Sequence, residues 1–378
     1  MSLIPALLFC IIRKQLINTN NNKEPTCRWY ITGANKKMRR IVLFALATLF
    51  ATSAFAQQQL ATLNHNDSIT VFYGQSALEQ AHAAAVNGDI ITLSPGRFQT
   101  NSTLTITKAV TIRGAGMMDD TLGNTHTEID RIVYFDIDTN LNDYLSVEGI
   151  HFDYRVKWKK LKSPAFIKCF FNNGLEYYSS SSSMIDAKFI NCYIDYFNCK
   201  YQKNTQFINS IIRGINELSS SDNEGVSFLN CNINSYQFTE DNSLGCYVMN
   251  SIIVGTISTG RSHNATTSFY SLGIDDSGYG YRYYFDTVYT PNHNLHNISG
   301  AENVFMTYSS DSWETMTFEL QDSIANTFLG DDGTQVGIYG GPYPFDPNVR
   351  NPRIRRCTVA QRATSDNKLA VDIEVVSE

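Results

Sequence analysis

An all-β chain, wound as a coil of short stacked strands, is the fold that the sequence predicts. Three observations point to it. A six-residue pattern recurs through the middle of the chain at intervals of about 20 residues. Asn, Ser, Thr, Ile, Phe and Tyr dominate that region, with 21 Tyr and 22 Phe among 378 residues, a composition that favours strands joined by polar corners. Long amphipathic helices are scarce. An apolar share of 43% against 17% charged is too hydrophobic for a disordered chain, and 23 Gly with 9 Pro are too few for collagen-like or linker character.

The first element is an address. Met38-Arg39-Arg40 precedes the apolar run 41–50, and Ala54-Phe55-Ala56 closes it. A basic start, a short apolar stretch and an A-x-A site describe a secretory signal peptide over 38–56, and the run is too short to span a membrane. Residues 1–37 are expected to be a non-native upstream extension, with Met38 as the initiator. Residues 1–56 hold eight of the 30 Lys/Arg and one of the 36 Asp/Glu. That leaves 22 and 35, a formal charge of −13 for the mature chain. So acidic a surface excludes nucleic acid as a partner, since phosphate neutralisation needs a basic footprint. The expected location is the periplasm, cell surface or extracellular space, with no transmembrane segment in the mature chain.

The repeat comes next. Phe166–Phe171, Phe189–Ile194, Phe207–Ile212, Phe228–Ile233 and Val248–Ile253 align, their fourth residues spaced by 23, 18, 21 and 20. Val147–Phe152 is an earlier copy, and Val110–Gly114 resembles an earlier turn. The third position is Asn or Gly in most copies, the residues that most readily adopt a left-handed backbone at a corner. Lys168 breaks that rule and is expected to form a strained or widened corner. Apolar residues two before the corner, and one and three after it, point inward. Each repeat is too short to bury its own face, so stacking must supply the core.

The flanking segments carry a resemblance. Ser76–Asn87 reads as an amphipathic helix ending near Gly88, followed by Gly88–Phe98, Leu104–Ile106 and Val110–Gly116. This order resembles the N-terminal cap and first turns of right-handed parallel β-helix proteins of the pectate-lyase-like superfamily. The stretch from Trp313–Phe318 through Asp332–Phe345 is similar to the closing segment of secreted β-helix proteins of Bacteroidetes. The resemblance implies one right-handed parallel β-helix domain over 57–352, with a short N-terminal capping helix. Residues 353–378, where Leu369, Val371, Ile373 and Val375 alternate with polar residues, read as a small C-terminal β-hairpin covering the open end of the coil.

Candidate chemistry is sparse. Cys169, Cys192 and Cys231 share an inward position with Ser210 and Ser251, which suits a ladder of small buried thiols. Cys199, Cys246 and Cys357 complete the mature set, and none has zinc spacing. Asp136 and Asp138 alternate on one strand face, with Asp130, Asp143 and Asp153 nearby in sequence. Superfamily lyases often hold calcium with such carboxylates, so the resemblance implies calcium as the only cofactor to consider; otherwise none is expected.

The repeat register places His151 and Asp153, Asn172, Tyr193 and Asp195, Arg213, Asn232 and Asn234 in an outward column. An aromatic with several amides and charges on one wall suits sugar hydroxyls. The basic run 155–162, expected in a loop between turns, offers Lys157, Lys159 and Lys160 with Trp158 to stack on a sugar. Related lyases use Lys or Arg as the base of β-elimination, which makes these lysines and Arg213 the catalytic candidates of a lyase. No lyase signature surrounds them. Asp275-Asp276 resembles the paired acids of β-helix glycosidases, but the accompanying motifs are missing, and two carboxylates alone do not make a glycosidase. The aromatic run Tyr279–Phe285 fills the wider end of the coil or lines a carbohydrate platform. Asp67-Ser-Ile69, Asp120-Thr-Leu122, Asp286-Thr-Val288 and Asp322-Ser-Ile324 resemble a short O-glycosylation sequon of Bacteroidetes.

The expected function is therefore carbohydrate-associated binding or structure without catalysis, the partner being a polysaccharide or glycoconjugate. A calcium-assisted polysaccharide lyase and an adhesin-like surface protein are the alternatives. Carboxylates converging beside an outward Lys or Arg favour the lyase, and a smooth wall of amides and aromatics favours binding.

Overall fold

A computed structural model describes residues 59–99, 102–119, 125–137, 144–198, 200–216, 223–234, 246–254, 266–275, 293, 295–309 and 312–349, together with the strands at 12–15, 28–31, 353–359 and 371–376. The proposed signal peptide, Asp138 and the run Tyr279–Phe285 lie outside them. The chain divides into two units, 1–57 and 58–378. In the first, Ile12–Gln15 pairs antiparallel with Arg28–Ile31.

The second unit is a parallel β-solenoid of about seven turns whose strands form three sheets of eleven, ten and nine members. The first wall runs from the antiparallel hairpin Leu60–His65 and Ser68–Tyr73 through Ile90–Leu93 to Thr266–Phe269. The second runs from Gly96–Phe98 to Leu295–Ser299. The third centres on the long strand Val156–Lys162. Helix α1, Ala77–Ala84, is shorter than its sequence suggests and buries Ala77, Leu78, Ala81 and His82 at the N-terminal end.

The repeat folds as its chemistry demands. Gly149, Lys168, Asn191, Asn209, Asn230 and Asn250 all have positive φ, between 45° and 66°, and turn the chain from the first wall into the second. Lys168, the exception in sequence, takes the same bend at φ 50°; the corner is not widened. A second left-handed column, Ser163, Asp186, Asn204 and Gly225, turns the third wall into the first. Phe166, Phe189, Phe207 and Phe228 stack face to face inside the coil at 5.0, 4.8 and 5.0 Å between centroids, the spacing that adjacent strands impose. Cys169, Cys192 and Cys231 are buried and free. Burial pushes the Cys231 thiol up to about 12, so this ladder consists of packing groups rather than reactive thiols.

Residues 312–349 do not add turns; they return along the outside of the coil. Asp331 pairs with Asn250, Ile338 and Gly340 with Asn209, Tyr343 and Asp346 with Asn191, and Asp346 with Lys168. Gly149 lies so near Val349 that an added Cβ would fall 2.5 Å from its Cγ2. The side chains of the corner residues thus serve as docking points for this strap. Arg353–Val359 and Val371–Val376 do pair as an antiparallel hairpin.

Candidate functional site

The outward column divides in two. In the C-terminal half, Phe170, Tyr193, Ile211, Ile252 and Leu272 of the second wall form one apolar cluster with Trp313, Phe318, Val336 and Ile338 of the returning segment. Tyr193 is 2% exposed, its ring stacked 4.3 Å from Phe170, and burial raises its phenol. It cannot stack on a sugar. Asn232 is likewise buried, against Gly337. Both expectations fail for one reason: the register gives which side of a strand a residue occupies, not whether another segment covers that side.

The N-terminal half is a linked polar surface. Arg97 is 53% exposed; its Nε lies 3.0 Å from Glu128 Oε1 and its Nη2 lies 2.9 Å from Asp130 Oδ2 and 3.6 Å from Asp153 Oδ2. Gln99 Nε2 donates to Asp130 Oδ2 at 2.7 Å, and Asn172 Nδ2 donates to Asp153 Oδ1 at 3.1 Å. These groups come from four successive strands held in parallel register. Burial raises the Glu128 carboxyl despite the opposing pull of Arg97. Asp130 is buried, and its Oδ1 has no hydrogen-bond partner.

Beside this network, His126 Nδ1 sits 2.7 Å from Asp119 Oδ1. His151 stacks on Phe170 at 4.5 Å, with Met117 O within 3.2 Å of its Nδ1. Burial, then the nearby His126, lowers the His151 imidazole to about 4. His151, Asp153 and Asn172 therefore lie where the sequence puts them. Asp130, a carboxylate that the sequence sets near the Asp136 pair, lies among them, while Arg97, Gln99, His126 and Glu128 join from positions that the sequence does not single out. The alternations Gly-Arg-Phe-Gln and Thr-Glu-Ile-Asp repeat the outward offsets of the later turns and signal Arg97, Gln99, Glu128 and Asp130, but not His126. Further along the wall, Arg213 Nη1 donates to Asp195 Oδ1 at 2.6 Å, and that bond raises the guanidinium above its ordinary value. A group held so firmly cationic cannot take up a proton as a base.

The basic run lies on the third wall, in a strand rather than a loop. Trp158 is 0% exposed, packed inside 6.1 Å from the Phe197 ring, because apolar Val156, Trp158 and Leu161 take the inward positions. It cannot contact a ligand. Lys157 Nζ pairs with Glu176 at 2.7 Å and Lys159 Nζ with Asp136 at 3.1 Å, while Lys160 and Lys162 are exposed. Asp136 thus faces an ammonium group instead of converging with other carboxylates. Among the described residues, no group of three His, Cys, Asp or Glu side chains is placed to hold a metal ion.

No family model matches the chain, and neither a curated protein nor a solved structure matches it. Among the described residues, no helix is long and apolar enough to cross a membrane. The solenoid supplies rigid walls, and a fold alone assigns no activity.

Proposed function

We propose that this chain is a secreted or surface β-solenoid with a carbohydrate-associated binding or structural role and no catalysis. The observation that carries the proposal is the open half of the second wall. There Arg97, Glu128, Asp153 and Asn172 present guanidinium, carboxylate and amide groups from successive turns in one row. Sugar hydroxyls both donate and accept, and such planar groups pair with them in fixed geometry. The signal-like stretch 38–56 supports export.

One observation favours the lyase as a second reading: Glu128, Asp130 and Asp153 converge on the outward Arg97. Against it, the hydrogen bond that Arg97 donates to Asp130 raises its guanidinium, which stabilises a cation in that position rather than a base. Lys157, Lys159 and Lys160 stand on a different wall.

The test mixes purified protein with a panel of neutral and uronate polysaccharides, with calcium and then with chelator. Ultraviolet absorbance follows the unsaturated product of β-elimination, and affinity electrophoresis follows binding. Retardation by one polysaccharide without any absorbance rise, weakened about tenfold by Asp153→Ala with Asn172→Ala, is the expected result, corresponding to loss of one or two good hydrogen bonds. A calcium-dependent rise in absorbance would overturn the non-catalytic assignment. Silence in both assays would leave the adhesin-like alternative and overturn carbohydrate binding.

A further inference from the structure

The third wall carries a feature of opposite charge that the network around Arg97 does not use. Five cations, Arg155, Lys157, Lys159, Lys160 and Lys162, fall within eight residues of a chain whose overall charge is negative. We propose that the outer face of strand Val156–Lys162 binds a linear anionic glycan laid along the strand, across the axis of the coil.

The local fold creates the surface. Val156, Trp158 and Leu161 point inward and are buried, so Lys157 and Lys159 point outward by simple alternation. A register shift against the neighbouring strand between Phe135 and Asp136 then places Lys160 outward directly after Lys159, and Lys162 follows. The ammonium groups extend over roughly 16 Å of strand, with steps of about 7 Å between alternate residues. Such a row meets successive charges of an extended polymer better than a single point anion.

Only part of this charge is answered within the protein. Glu176 serves both Lys157 and Arg155, at 2.7 and 3.4 Å, and Asp136 serves Lys159. Among the described residues, no carboxylate lies within ion-pair distance of Lys160 or Lys162. Tyr134 and Tyr178 meet edge to face at 5.3 Å, and the Lys159 ammonium lies 4.9 Å from the Tyr178 ring centre. Tyr178 is 49% exposed, so an aromatic face stands beside the cations, as a pyranose ring bearing an anionic group requires. A flat wall with one exposed ring suits a sugar chain better than a bilayer, whose binding gains from buried apolar area.

Dextran sulfate and polygalacturonate, with neutral dextran as control, are the probes. Affinity electrophoresis and titration at low and high salt would compare the purified protein with Lys160→Glu/Lys162→Glu and, separately, with Lys188→Glu, an exposed lysine of the first wall. Both lysines are exposed, so melting temperature checks that the double variant is folded. Binding to both polyanions, weakening with salt and reduced at least tenfold in Lys160→Glu/Lys162→Glu but less than twofold in Lys188→Glu, is the expected result. Charge reversal at two positions within a Debye length of the ligand accounts for that loss. Failure of the parent protein to bind either polyanion would overturn the proposal. Equal binding by the folded double variant would do so too. Binding confined to phosphatidylglycerol vesicles would replace the glycan with a membrane surface and also overturn it. Because Lys160 and Lys162 lie on the third wall, and Asp153 and Asn172 follow strands of the second, their separate variants distinguish failure here from failure of the second-wall assignment.

Discussion

Replacing Asn209 by alanine should loosen the returning segment more than any neighbouring surface change. Asn209 is fully buried, has φ 45°, and its Nδ2 donates to Ile338 O at 2.8 Å and Gly340 O at 2.7 Å. Alanine removes both hydrogen bonds, each contributing about 1 to 1.5 kcal/mol net when the carbonyls left behind are buried. It must also hold a left-handed backbone, at roughly 1 kcal/mol more than asparagine. The expected loss is about 3–4 kcal/mol, acting on strap docking rather than on the coil. Asn209→Gly should recover only about 0.5 kcal/mol, since glycine tolerates the bend but gains more freedom in the unfolded chain. Urea denaturation followed by tryptophan emission would report it, because Trp313 is buried in the cluster that the strap forms with the second wall. Displacing the strap also bares Phe170, Tyr193 and Ile211, so binding of a hydrophobic dye should rise well before the coil unfolds. A loss of less than about 1 kcal/mol for Asn209→Ala, without dye binding, would show that the corner amides do not hold the strap.

Two further outcomes follow from buried groups. His82 and His151 are each lowered to about 4, mainly by burial, and His82 Nε2 accepts the Thr107 N–H at 3.2 Å, a bond that protonation destroys. The unfolded chain, with histidine near 6.5, takes up protons first. Stability should therefore be unaffected by these groups above pH 6.5 and fall between pH 6.5 and 4, by about 3 kcal/mol for the buried His82. Denaturation midpoints at pH 7.5 and 4.5 would check this, His82→Gln flattening part of the slope; an unchanged slope in that variant would assign the acid sensitivity elsewhere. Trp158→Phe should cost about 1–3 kcal/mol through the space it leaves and leave retardation by anionic gels unchanged. Loss of retardation in a folded Trp158→Phe protein would place the indole on the outer face after all.

The periodic part of the molecule was legible from its residues. An asparagine or glycine every 20 or so positions, flanked by apolar residues at fixed offsets, dictated the corner, the inward phenylalanine stack and the thiol ladder, because each depends on neighbours one turn away. The same offsets placed His151, Asp153 and Asn172 outward. Trp158 is legible too, against the loop that its basic neighbours suggest: Val156, Trp158 and Leu161 keep a strand's inward positions once one extra outward lysine is allowed.

Tertiary structure alone decided the rest. Tyr193 and Asn232 sit on the outer face as the repeat requires, yet a segment more than 100 residues later covers them. Nothing in the 312–349 stretch repeats, so no local pattern reveals that it runs back along the corner amides. Arg97 gathers carboxylates from strands 31 and 56 residues away, Asp130 having to reach the same point as Asp153. Loop lengths between early turns vary, and only the wound coil fixes which turns lie side by side. Stacking is a short-range property that recurs in sequence; covering and convergence are long-range contacts, set by where a non-repeating segment finds hydrogen-bond partners and apolar surface to bury.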